Sequence, residues 1–343
     1  MARARVDRAH PVNVLAAIER LTETDLQVLR LVAEHEVMST EQLAALCFAN
    51  PARVADAVVR LDYLATRAML VKFGHPGTHP AGVPADDLSN RAPAGLPTPV
   101  PGRWGDGRRW SWSLGQGGAY WAGVERILNS DRWVDAWSRS FVPLARPHLR
   151  RRLALGDFFT ALHHRAVGRQ YARLDQWWGP ARCADTSGGK TRPDAHGRWR
   201  YGTATVPFWI YSDSVRQPTR TLITTVERHL NTHPATAESD VILLVMVNDH
   251  RERALHRRWP ELTEGAALPP VATTSYRKLR LWPAEGIWRP LTGRDALSVP
   301  LHRLARHTAP HDPRFGDPGA FPDRPSALPM DLGTTRPRDV DTP

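Results

Sequence analysis

Residues 39–61 read Ser-Thr-Glu-Gln-Leu-Ala-Ala-Leu-Cys-Phe-Ala-Asn-Pro-Ala-Arg-Val-Ala-Asp-Ala-Val-Val-Arg-Leu, and two helix starts fall inside this one stretch. Ser39-Thr40-Glu41-Gln42 has the form of a capping box: the serine hydroxyl takes the amide three residues on, and Gln42 reaches back to the serine amide. The short helix it opens carries Leu43, Leu46 and Phe48 inward. Asn50-Pro51 is an N-cap followed by the favoured first-turn proline, and the helix after it presents Val54, Val58 and Leu61 on one face. Its other face shows Arg53, Arg60 and, near the end, Arg67. Upstream, Leu26, Leu29 and Ala33, with Val28 and Val32 beside them, form the apolar stripe of a helix entered through Thr22-Glu23-Thr24-Asp25.

Downstream, Leu70-Val71-Lys72-Phe73 and Arg108-Arg109-Trp110-Ser111-Trp112-Ser113-Leu114 read as the two strands of a hairpin. Between them, residues 74–106 hold seven prolines and six glycines in 33 residues and read as a flexible insertion at its tip. Three helices followed by a hairpin is the order of a winged helix-turn-helix, here over residues 20–125. The third helix would enter a major groove about 12 Å wide, with Lys72, Arg108 and Arg109 on the wing touching phosphates. The same order also serves a helical protein-protein module whose arginines form a solvated face. Gly115-Gln116-Gly117-Gly118 reads as the turn out of the wing.

The 343 residues suggest two domains, and 41% apolar with 24% charged residues is ordinary for a globular protein. A formal net charge of +11 favours a polyanionic partner, nucleic acid before anionic lipid, and together with the helix order it points to double-stranded DNA. The Pro-rich tail, 305–343, reads as disordered and carries no share of that charge, because arginine and aspartate balance from residue 301 onward. Residues 1–19 form a basic arm. Cys47 and Cys183 lie far apart with no C-x-x-C, which argues against a disulfide framework or a cysteine zinc site and fits a cytoplasmic protein. The longest apolar run, Val241–Val247, is too short to span a membrane, and no signal-peptide core follows the basic start.

Residues 140–300 change character to α/β. Asp157–Arg173 looks helical, the runs 198–201, 205–211, 241–247 and 273–282 look like strands, and a helix is expected over 218–231. The unbroken apolar run at 241–247 marks a central strand covered on both faces. Ser187-Gly188-Gly189-Lys190-Thr191 resembles half a P-loop, but Pro193 stops any helix from following, which argues against an NTPase. His229 and His233 stand at a metal-holding spacing with no third ligand in view, so a solvated helix end is expected. The thirteen tryptophans could stack on single-stranded bases, although packing accounts for most tryptophans.

Arg192-Pro193-Asp194 followed by Phe208-Trp209-Ile210-Tyr211-Ser212-Asp213 is how metal-dependent nucleases space the carboxylates that hold Mg²⁺. Asp194 and Asp213 are the candidate catalytic residues, with Asp157 or Glu227 completing a shell. Against this, Tyr211 stands where the second carboxylate belongs and Asp213 where a lysine belongs, and a phenol does not replace a hard anionic ligand. The alternative is a turn aspartate and a strand-end aspartate that cap backbone amides.

Taken in order, Leu21–Asp25 with Val28-Leu29, Ser39–Leu43, Arg60-Leu61 through Met69-Leu70, and Trp112–Gly115 with Gly118 resemble the replication-relaxation family of plasmids and integrative elements. Arg192-Pro193-Asp194, Tyr211-Ser212-Asp213 and Val241–Val247 followed by Arg251-Glu252 continue the resemblance over roughly residues 20–290. It implies a winged-helix DNA-binding domain joined to a restriction-endonuclease-like domain. The implied function is replication or conjugative processing of mobile-element DNA, as a homodimer or with replication and transfer proteins. The family pattern has a glutamate before the strand-end aspartate and a lysine in the next helix; here Tyr211 replaces the one and helix 218–231 lacks the other. The expectation is therefore a DNA-binding protein needing no cofactor, without an intact nuclease centre. The alternatives are an Mg²⁺-dependent nickase and a winged-helix transcriptional regulator.

Overall fold

The structure, a computed structural model, describes residues 16–48, 54–76, 108–124, 146–167, 169–213, 218–233, 240–262, 270–281, 286–291 and 297–304. Arg53, the insertion beyond Pro76 and the tail 305–343 lie outside the described residues, as does the basic arm up to residue 15. The chain divides into two compact units, Met1–Leu144 and Ala145–Pro343.

In the first unit, α1 (Glu23–His35) is entered through Thr22, whose hydroxyl accepts from the Asp25 amide while the Asp25 carboxylate accepts from the Thr22 amide. The stripe Val28, Leu29, Leu31, Val32 and Ala33 is buried. Next come β1 (Met38–Ser39) and α2 (Thr40–Cys47), and the capping box forms as read: Gln42 N to Ser39 Oγ at 3.2 Å, and Ser39 N to Gln42 Oε1 at 2.9 Å. Phe48 caps the helix and is only half-buried. α3 (Val54–Thr66) buries Ala57, Leu61 and Leu64, a stripe turned from the expected one so that Val54 and Val58 sit at its margins.

The hairpin pairs β2 (Leu70–Pro76) with β3 (Arg108–Leu114) antiparallel, Leu70 opposite Leu114. β2 runs through Gly74, His75 and Pro76, the first residues of the stretch expected to be a flexible insertion. β1 adds the third strand, in the order β1-β3-β2. Trp112 is fully buried and donates from Nε1 to Thr40 Oγ1 at 2.8 Å, which ties the hairpin to the start of α2. Gly115–Gly118 is not merely a turn: it opens α4 (Gln116–Val124). A Cβ on Gly115 would sit 2.2 Å from the Ala68 carbonyl oxygen, and one on Gly118 would sit 2.2 Å from that of Met69. The run is glycine because the helix start lies against another stretch of backbone.

The second unit is a six-stranded mixed sheet, β4-β5-β6-β7-β8-β9 in chain order. It begins with α5 (Arg146–Ala166), then β4 (Ala172–Trp178), α6 (Pro180–Asp185), β5 (Ala195–Tyr201) and β6 (Ala204–Ser212). α7 (Thr219–Thr232) and α8 (Asp249–Leu262) carry the chain to the parallel strands β7 (Val241–Met246) and β8 (Val271–Ser275). α9 (Tyr276–Leu281), β9 (Arg289–Pro290) and a 3₁₀ turn, Leu301–Leu304, complete it. One face of the sheet buries Trp209, Tyr211, Ile242, Leu244 and Met246 against Leu222, Ile223 and Val226 of α7 and Leu255 and Trp259 of α8. On the other face Phe158 and Phe159 of α5 pack on Phe208, Trp177 and Trp288 with ring centroids 4.8–6.1 Å apart.

Both faces of β7 are covered, and every one of its residues is buried. The helix expected over 157–173 instead ends at Ala166, and Ala172–Trp178 is a strand. The run 273–282 is divided: Thr273 and Thr274 stay in β8, and Ser275 Oγ accepts from the Lys278 amide to start α9.

Candidate functional site

The residues expected to bear on function fall into two sets, one in each unit. In the first, α3 and the hairpin carry the expected DNA contacts. Arg60 does not face outward: its Nε donates to Asp25 Oδ1 at 2.6 Å and its Nη2 to Asp25 Oδ2, across to α1. Burial alone would push the Asp25 carboxyl up, but the Arg60 guanidinium and the two Thr22 donors outweigh it and hold the carboxyl below its ordinary range. The reason is packing: Asp25 has no exposed surface, and α3 offers the cation that makes its burial tolerable.

Arg67 is exposed in the turn after α3, its guanidinium 5.4 Å from the Tyr63 ring centroid. Lys72 bonds Asp62 at 2.7 Å and lies 4.3 Å from the Trp110 ring centroid. Arg108 and Arg109 stand on β3 opposite Pro76 and His75, at the hairpin's far end from Lys72. Val59 of α3 is 72% exposed, so the exposed surface of this helix carries an apolar side chain where arginine was expected.

In the second unit, Asp194 and Asp213 meet at the carboxyl end of β6. The Asp194 carboxylate accepts from the Ser212 amide at 2.8 Å, Arg152 at 3.2 Å and Arg151 at 3.4 Å. Asp213 is buried and takes both Nε and Nη2 of Arg251, at 2.5 and 2.8 Å, in a bidentate fork from the first turn of α8. Next to these, the buried Glu252 carboxylate accepts from Lys278 Nζ at 2.7 Å and Thr273 Oγ1 at 2.9 Å.

Tyr211 is buried in the core against α7 and α8, where its hydroxyl bonds His229 Nδ1 at 2.8 Å. Burial raises its phenol well above the usual range. Glu227 is exposed on α7, and Asp157 is half-buried on α5. Among the described residues, no group of three or more His, Cys, Asp or Glu side chains is placed to hold a metal ion. The residues present do not fit a divalent cation, because arginine already occupies the carboxylates that would receive it.

His229 is a further correction. It is not a solvated helix end but a buried ring, 5.1 Å from Trp209 and 4.7 Å from His233 between centroids, and burial holds its imidazole down to about 3. His196, packed 4.3 Å from Trp209, is held down to about 3 for the same reason. Ser187–Thr191 closes on itself, the Ser187 hydroxyl accepting from the Thr191 amide and bonding its carbonyl, both at 3.0 Å. Gly188 and Gly189 adopt left-handed φ of 58° and 81° there.

Sequence reasoning missed Arg151 and Arg152 entirely. Arg251 was visible only as part of a motif, because nothing in its spacing says that it will reach across two elements to Asp213.

The chain belongs to the replication-relaxation family, whose model matches residues 29–229. No curated protein and no solved structure matches it.

Proposed function

We propose that this member of the replication-relaxation family binds double-stranded DNA through its N-terminal unit and acts in replication or conjugative processing of mobile-element DNA in the cytoplasm. The carrying observation is the order of parts in that unit: three helices, then a two-stranded hairpin completed by β1, with basic residues along the hairpin. We read this as a winged helix. In that reading α3 enters the major groove, Val59 meets thymine methyl groups, and Arg67, Lys72, Arg108 and Arg109 take phosphates. Arg60 braces the helix from behind. No helix among the described residues is long and apolar enough to cross a membrane.

The second unit, in this proposal, is a restriction-endonuclease-like scaffold. Its Asp194 and Asp213 serve as ion-pair partners of Arg151, Arg152 and Arg251, not as metal ligands. Two measurements test the proposal. Anisotropy of a labelled duplex should show affinity falling with salt by about 0.9 log unit per phosphate contact for each decade, and Arg67→Ala or Arg109→Ala should each lower that slope by about 0.9. A flat salt response refutes DNA binding. Supercoiled plasmid should stay intact with Mg²⁺ or Mn²⁺; nicking that disappears in Asp194→Ala establishes the nickase reading instead.

A further inference from the structure

The end of the second unit's sheet opposite Asp194 and Asp213 carries a different surface. β4 begins there, β5 ends there, and the 3₁₀ turn Leu301–Leu304 packs against it. β5 is seven residues long, so this edge lies roughly 20 Å from Asp194. Three rings form a ladder on it. The imidazole of His302 stacks on Tyr201 with centroids 4.2 Å apart and planes 12° apart, and Tyr171 meets Tyr201 edge-on at 5.2 Å. Tyr171, at the outer end, is 47% exposed. An aromatic ring left this open at the end of a stack has room for another flat ring against it.

Arginine dominates the surrounding charge. Residues 163–173 contain Arg165, Arg169 and Arg173 and no acid, residues 195–206 contain Arg198 and Arg200 and no acid, and the 3₁₀ turn adds the exposed Arg303. Arg303 and Arg165 are close enough to His302 that, after burial, their charges are what hold its imidazole below the usual range. The acid on β4 is Asp175, and it is shared: Arg173 lies at 2.9 Å and Arg200 at 2.6 Å. Two guanidinium groups on one carboxylate leave the trio positive.

We infer that this edge is a binding platform for single-stranded DNA, on which a base stacks against Tyr171 while Arg169 and Arg303 take the flanking phosphates. A duplex cannot use it in the same way, because its base faces are already stacked on one another. Stacking plus a cationic rim binds single strands with little sequence preference. This inference does not depend on the duplex-binding reading of the first unit, and each can fail without the other.

The test uses the full chain and a fluorescein-labelled oligothymidylate of about 15 nucleotides, with a labelled duplex as comparison. Tyr171→Ala should weaken oligothymidylate binding by about 5- to 150-fold, the loss of one stacked base. Tyr171→Phe, which keeps the ring, should bind as the wild type does, and both variants should hold the wild-type duplex affinity. Arg169→Gln should lower the salt slope for the single strand by about 0.7. With 5-bromodeoxyuridine in the oligonucleotide, ultraviolet crosslinking should place the adduct on Tyr171 or Tyr201. Wild-type affinity in Tyr171→Ala, an equal loss for duplex and single strand, or crosslinks confined to the first unit would each overturn the inference. Tighter binding of an oligouridylate than of the oligothymidylate would overturn the assignment to DNA.

Discussion

Arg60→Met separates the two roles that residue can have. In the structure it neutralises a carboxylate with no exposed surface, and its own side chain is 32% exposed. A surface pair is worth about 0–1 kcal/mol, and removing one partner of a fully buried pair costs about 3–5 kcal/mol, so a loss of about 2–4 kcal/mol is expected. The measurement is urea unfolding followed by amide exchange in peptides covering residues 23–35 and 54–66, the two helices that the pair joins. The pH dependence has a definite sign. In the wild type the Asp25 carboxyl is depressed in the folded state, so its contribution is present above the unfolded value near 3.9 and is lost as pH falls through the folded one. Without Arg60 the carboxyl loses the guanidinium's lowering influence while its burial stays, so the folded variant takes up a proton at higher pH than the folded wild type does. The gap between wild type and variant should therefore narrow from pH 7 to pH 4. A double variant, Asp25→Leu with Arg60→Met, should recover most of the loss except for about 1 kcal/mol from the broken capping box. If Arg60→Met instead unfolds like the wild type and loses DNA affinity, Arg60 is a groove contact and the reasoning fails.

Gly118→Ala places a Cβ 2.2 Å from the Met69 carbonyl oxygen, so the helix start must move off its neighbour; a loss of about 1–3 kcal/mol is expected in thermal unfolding, and a neutral result would mean that the two backbones are not in contact. His196 and His229 are buried neutral and held down to about 3, so the unfolded chain binds more protons than the folded one between about pH 3 and 6.5. Stability of the second unit should fall as pH drops through that window, by up to about 1.4 kcal/mol per pH unit for each imidazole; His229→Gln, keeping a polar side chain beside Tyr211, should flatten the dependence. Adding about 10 mM Mg²⁺ should leave the melting temperature unchanged, whereas a site of about 0.1 mM affinity would add about 2.7 kcal/mol.

How much of this was readable depends on how local each signal is. The Ser39 and Thr22 caps were legible because a capping box closes within four residues. The hairpin was legible because Trp110 and Trp112 alternate with Ser111 and Ser113. α8 escaped notice because Leu255 and Trp259 are nearly its whole apolar stripe and a third inward position is Glu252, a carboxylate that only Lys278 and Thr273 make tolerable inside. β4 was hidden because Arg173 and Asp175 alternate with Ala172 and Leu174 next to a helix of similar polarity. At the site, Asp194 and Asp213 could be named from spacing, but their partners come from α5 and α8, brought close only by the sheet. The ion pair of Arg60 was hidden for the same reason: its helical face reads as non-apolar, but the buried aspartate it bonds lies 35 residues away.

The same pairing means that a charge of +11 gives an incomplete account of the protein's surface. Asp25, Asp213 and Glu252 are buried and Asp194 nearly so, each held by an arginine or lysine. An ion pair taken inside leaves the net charge unchanged and removes its acid and its base from the surface together. Displacing Arg251 from Asp213 with a divalent ion would strand a guanidinium against a partly buried site, and that penalty must be met from the ion's own coordination energy. A metal-dependent nuclease needs its carboxylates available to the ion, and here arginine holds both. The arginines on Asp194 and Asp213 therefore oppose the binding of a divalent ion at these carboxylates.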